Sequence, residues 1–133
     1  MPSDDTLFSY HMNLLKAFSE FARGQAPFNT ESLAGNDAEC LALLDELCET
    51  TNNSDSFNAR GQQLVSRIVA GYSHLTPYLH RDLFWFFGGD CLHYMPDEEI
   101  AQYQRLDERR YELESQGQAF HWEDERAKVF GLH

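Results

Sequence analysis

The sequence predicts an all-α fold, a single-domain bundle of five or six helices with an aromatic-rich helix at its centre. Composition is the first observation: sixteen Leu and eleven Ala stand against three Val, two Ile and five Thr. Strands favour β-branched side chains, and this chain has few. The second is spacing, since apolar residues recur at three and four and no run alternates apolar and polar for six residues. The third is length: 133 residues, 42% of them hydrophobic, are enough for one domain with a buried core. Residues 1–133 are therefore read as one α-helical domain.

The first helix is expected over Asp5–Arg23. Leu7, His11, Leu14, Phe18 and Phe21 fall on one face, and Phe8, Met12, Leu15 and Ala22 widen it. Ser3, Asp4 and Asp5 offer N-caps, and Gly24 a stop. A loop follows, "QAPFNTESLAG", with a short helical turn expected near Thr30–Leu33. Asn36, with Glu39 three residues on, resembles a capping box for a second helix from Asp37 to Thr50. Leu41, Leu44 and Cys48 form one of its lines, and Cys40, Leu43 and Leu47 the next.

The third helix is expected over Ser56–Leu75, capped by Ser54 or Asp55, with Phe57, Gly61, Leu64, Ile68 and Tyr72 in line. Glycine inside a helix costs about 1 kcal/mol relative to alanine, so Gly61 points to a close crossing by another helix. Thr76 is expected to cap, and Pro77 to open, a fourth helix ending at Phe87. Its run "LFWFFGG" is apolar around most of the circumference, which predicts burial on most sides. Gly88-Gly89 should end or bend it, and "DCLHYM" adds a turn. Pro96 opens a fifth helix with Asp97, Glu98 and Glu99 at its positive end. Its apolar stripe is Ile100, Tyr103, Leu106, Tyr111 and Leu113, and Gly117 ends it. A last helix, Trp122–Phe130, places Trp122, Arg126 and Val129 or Phe130 on one face.

Charge limits the partners. The chain carries a formal net charge of −12, and Glu31–Asp55 holds seven acids with no Lys or Arg. Such a surface repels phosphate backbones and anionic membranes, so no nucleic-acid and no membrane partner is expected. No apolar run approaches the roughly 20 residues of a bilayer span, and "MPSDDTLFSYHMN" lacks the pattern of a secretory signal. Three cysteines, Cys40, Cys48 and Cys91, lack CxxC spacing, which argues for a reducing compartment and a cytoplasmic protein.

Chemistry-bearing residues gather at the glycine bend. Asp90-x-x-His93 encloses Cys91, with His80-x-Asp82 upstream. An acid and an imidazole at i,i+3 share a helix face and supply at most half a zinc shell, so no metal is expected. Cys91 and His93, at i and i+2, point about 200° apart on a helix, against a thiol–imidazole pair. Gly88-Gly89 lacks the residues of a phosphate loop. The acid runs at 97–99 and 123–125 sit where helix dipoles favour acids. No catalytic residue and no cofactor are therefore assigned. The candidate ligand or interface residues are His80, Trp85, Asp90, Cys91, His93 and Tyr94.

The first expected role is a non-catalytic interaction or regulatory module, packing a helix face against a protein partner or a second copy. Four consecutive aromatics, Phe84–Phe87, motivate it, because part of them would face a groove unless neighbours enclose the helix. The alternatives are a small-ligand or metal-binding protein with its site at the glycine bend, and an acidic nucleic-acid mimic occupying a basic protein.

Overall fold

A computed structural model describes residues 3–131, and side chains from residue 7 onward. Six α-helices follow one another: α1 (Ser3–Arg23), α2 (Gly35–Cys48), α3 (Asp55–Gly71), α4 (Arg81–Phe87), α5 (Asp97–Ser115) and α6 (Trp122–Phe130). Short 3₁₀ turns, Ser73–Tyr78 and Gly89–Tyr94, flank α4. Among the described residues there is no strand, and no helix is long and apolar enough to cross a membrane.

The expected apolar faces build one core. Leu15 and Phe18 of α1, Leu44 and Leu47 of α2, and Leu64 and Ile68 of α3 are all buried in it. Helix α3 packs against α2, α4 and both 3₁₀ turns, while α1 also lies against α4. The aromatic helix is thus enclosed on part of its circumference. Leu83 and Phe84 are fully buried and Phe87 nearly so, while Trp85 and Phe86 are half-buried. Gly61 marks where α4 crosses α3, because a Cβ there would lie 2.1 Å from the Phe87 ring.

Local boundaries differ from expectation where side chains cap unexpectedly. Helix α3 ends at Gly71, not Leu75, and Pro77 lies inside the 3₁₀ turn rather than opening α4. The cap of α4 is His80, whose Nδ1 accepts the Asp82 N–H at 3.0 Å. A neutral imidazole does there what a Ser or Asp oxygen does elsewhere. Thr76 makes no such cap, and its Oγ1 is buried without a partner. Helix α2 starts at Gly35 after Ala34, with no side-chain cap, so the Asn36 box is not used. Ser54 does cap α3, accepting from the Phe57 N–H at 3.0 Å. Residues 30–32 are bends and residue 33 is irregular, so the expected helical turn is not formed there. On α5 the buried line is Tyr103, Leu106 and Leu113, and Tyr111 is exposed. The Ser3, Asp4 and Asp5 caps lie outside the described side chains.

Gly88-Gly89 stops α4 by backbone geometry. Gly88 has φ 65° and ψ −150°, a region essentially reserved for glycine, and Gly89 has φ 54°. The Gln62 amide donates to the Phe87 carbonyl at 3.0 Å and satisfies one orphan acceptor at that helix end. Arg81 fixes the next segment. It donates to Glu99 at 2.6 Å and to the Tyr94 carbonyl at 2.9 Å, and lies over the Phe84 ring at 4.3 Å.

Candidate functional site

Asp82 is the most heavily bonded side chain in the core. It sits in the first turn of α4, fully buried. Tyr103 Oη donates to it at 2.5 Å, Tyr10 Oη at 3.0 Å and Trp122 Nε1 at 3.1 Å. Arg126 Nε reaches both carboxylate oxygens, at 2.8 and 2.9 Å. Burial opposes ionisation, but the bonds from Tyr103, Arg126 and Trp122 outweigh it and hold the carboxyl below its usual range. The same carboxylate, after burial itself, pushes the Tyr10 and Tyr103 hydroxyls upward. With its acceptor sites filled and no exposed surface, Asp82 locks α1, α4, α5 and α6 together and is not presented to a ligand.

His11 lies beside this lock and differs from it in one respect. The imidazole is 1% exposed, stacked on Phe86 at 4.3 Å and met edge-on by Tyr10 and Trp122. Its Nδ1 lies 2.8 Å from the Leu7 carbonyl oxygen, which can only accept, so Nδ1 carries the hydrogen and donates. Nε2 is then a bare acceptor, and it is buried without a partner. Burial depresses the pKa to about 4, against the Leu7 bond and the Asp82 charge, so the ring is neutral at pH 7.

His11 is part of the wall of a cavity of about 550 Å³. Leu7 and Phe8 of α1, Trp85 and Phe86 of α4 and Trp122 of α6 form its apolar part. Asp107 and Arg110 of α5 and the Thr51–Asn53 segment supply polar groups. Trp85 is positioned from behind, stacked on Tyr103 and donating Nε1 to Asp107 at 3.0 Å. Burial pushes the Asp107 carboxyl up, against the Trp85 bond and the Arg110 charge. A volume of this size lies within the range of small-molecule sites, and polar groups make up the larger part of its accessible wall. An imidazole near 4 is a weak base at neutral pH.

The candidates named from sequence divide. Trp85 lines this cavity. His80 caps α4, and burial lowers its pKa against the pull of Asp82, 3.7 Å away. Asp90 and His93 are exposed on the 3₁₀ turn, whereas Cys91 between them is buried. Burial pushes the Cys91 thiol up to about 12, the state of an unreactive core cysteine. Tyr94 rests edge-on to Phe84 and is 37% exposed. Among the described residues no three His, Cys, Asp or Glu side chains group as a metal site. Sequence reasoning placed His11 and Arg126 on apolar helix faces without assigning them a role. A charge or imidazole inside an apolar stripe was the available signal for both.

The buried imidazole makes stability pH-dependent in a definite direction. The unfolded chain protonates His11 near pH 6.5, and the folded chain only near 4. Between those values the unfolded state binds more protons, so stability falls as pH drops from about 6.5 toward 4. The loss attributable to His11 is about 3 kcal/mol in all. His80 is shifted the same way and adds to the slope. Urea unfolding at pH 7, 6 and 5 should therefore show a flatter decline in His11→Phe than in the wild type. Parallel declines would count against a neutral buried His11.

Compared with known proteins, the chain matches the family described as PA2817-like over residues 3–132. No curated protein and no solved structure matches it significantly.

Proposed function

The chain belongs to the PA2817-like family, and from that premise we propose that it is a small-molecule-binding domain without catalysis of its own. The observation that supports this is a cavity of about 550 Å³ with Phe8, His11, Trp85, Phe86 and Trp122 in its wall beside Asp107, Arg110 and the Thr51–Asn53 segment. The position differs from the glycine bend considered from sequence. The aromatic run supports this reading as well, because Phe84 and Phe87 are hidden in the core while Trp85 and Phe86 line the cavity.

Amide-detected NMR with a library of small aromatic fragments tests it. Shifts should cluster at Phe8, His11, Asn52, Trp85 and Phe86. A library that leaves all of these unmoved at millimolar concentration would end the proposal.

The second reading is a protein-interaction module, favoured by the net charge of −12, which suits a basic partner. Self-association belongs to the same reading, and light scattering at rising concentration measures it. A cytoplasmic location is proposed with both readings, supported by Cys40, Cys48 and Cys91 all being free thiols.

A further inference from the structure

The proposed binding role leaves the ligand's chemistry open, and the polar wall of the cavity narrows it. Asp107 and Arg110 stand one helical turn apart on α5 and share that wall. Ionised, Asp107 only accepts hydrogen bonds and Arg110 only donates them, while each amide of Asn52 and Asn53 does both. Trp85 Nε1 takes one Asp107 oxygen, and the other has no hydrogen bond among the described residues. Asn52 and Asn53 are exposed, and their side chains likewise make no hydrogen bond among the described residues. The wall therefore offers donors and acceptors together.

Charge and polarity exclude several occupants. The Arg110 charge reaches Asp107 and opposes the effect of burial there. A cation placed at Asp107 would meet Arg110. An anion placed at Arg110 would meet Asp107 and the chain's net charge of −12. A wholly apolar occupant would leave the polar part of the wall, its larger part, without partners. Phe8, Trp85, Phe86 and Trp122 nevertheless give the cavity an aromatic side. A molecule with hydroxyls at its rim and C–H groups on its faces suits both parts, since weakly positive C–H groups pack on the negative faces of aromatic rings.

We propose that the cavity takes a neutral sugar, with hydroxyls bonded to Asp107, Asn52 and Asn53 and a C–H face against the aromatic side. The inference rests on the binding reading above and adds the ligand class to it. Asp107 orients the ring in this account: Trp85 holds one of its oxygens, and the other takes a hydroxyl hydrogen.

¹H–¹⁵N titrations with neutral mono- and disaccharides test this, with glucosamine and glucuronate as probes of the same ring carrying one charge. Site-resolved shifts are the readout, because sugars stabilise any protein by exclusion from its surface. At least one neutral sugar should move the Asn52 and Asn53 amides and the Trp85 indole N–H at millimolar concentration. Asp107→Asn keeps an acceptor for Trp85, and Asn52→Ala lies on an exposed segment. Each should weaken that sugar by about fivefold, the effect of one lost hydrogen bond, with the rest of the spectrum unchanged. Affinity that survives both variants would overturn the assignment to this wall. Glucosamine or glucuronate binding at least tenfold more tightly than glucose would overturn the requirement for a neutral ligand. Silence of every sugar, with the aromatic fragments binding, would overturn the sugar class and leave the binding role standing. Silence of sugars and fragments alike would overturn the binding role itself.

Discussion

Asp82→Ala is expected to lower the unfolding free energy by about 3–5 kcal/mol, the usual effect of removing one partner from a buried ion pair. The variant leaves the largely buried Arg126 without its ion-pair partner and strips an acceptor from Tyr10, Tyr103 and Trp122 together. That is a large part of the roughly 5–15 kcal/mol that holds a domain of this size. Asp82→Asn, which keeps the shape and one acceptor, should lose less. Tyr103→Phe should cost about 1.5–3 kcal/mol alone, the range for a bond to a charged group, and almost nothing when added to Asp82→Ala. Urea unfolding of the four proteins measures this coupling. The sign with pH follows from the depressed carboxyl. Its contribution is complete above the unfolded value near 3.9 and is lost as pH falls through the lower folded value. The gap between wild type and Asp82→Ala should therefore be constant from pH 7 to 5 and narrow only in stronger acid.

Gly61→Ala is the second large effect. On helix propensity alone the change would stabilise by about 1 kcal/mol. The added methyl would instead enter the Phe87 ring, at 2.1 Å from its Cδ1 and Cε1. Phe87 is 3% exposed and packed on Phe57, with centroids 5.5 Å apart, so it cannot swing into solvent. Overpacking of that kind costs about 1–3 kcal/mol. Phe87→Leu, which vacates the ring position, should relieve the penalty. In a thermodynamic cycle the double variant should be more stable than the sum of the single losses implies. Additive losses would show that α3 and α4 are not held apart by this contact.

The comparison of Gly61 with Asp82 shows what the sequence discloses and what it hides. A glycine in the middle of an apolar helical line is a local signal, and it correctly implied a crossing. The mostly apolar circumference of α4 implies burial in the same way, and Leu83, Phe84 and Phe87 are buried. The start of α4 was misplaced because Thr76-Pro77 has the usual form of a helix opening, while the cap in use is an imidazole. The Asp82 lock has no local pattern at all. Its partners stand at positions 10, 103, 122 and 126, and only the packing of α1, α5 and α6 around α4 brings them together. The cavity is hidden for the same reason, since its walls come from four helices and the Thr51–Asn53 segment. His11 fitted the apolar stripe of α1 so well by spacing that its polarity was passed over. A residue type at odds with its face, more than any motif, marks both the lock and the cavity.

Long-range ¹H–¹⁵N spectroscopy of the His11 ring in the ligand-free protein at pH 7 bears most directly on all of this. The expected spectrum has a protonated Nδ1 and an unprotonated, acceptor-type Nε2 that stays so as pH is lowered to 5.5. A hydrogen on Nε2, or a ring that takes up a second proton near pH 6.5, would contradict the neutral, Nδ1-protonated imidazole buried beside the Asp82 lock.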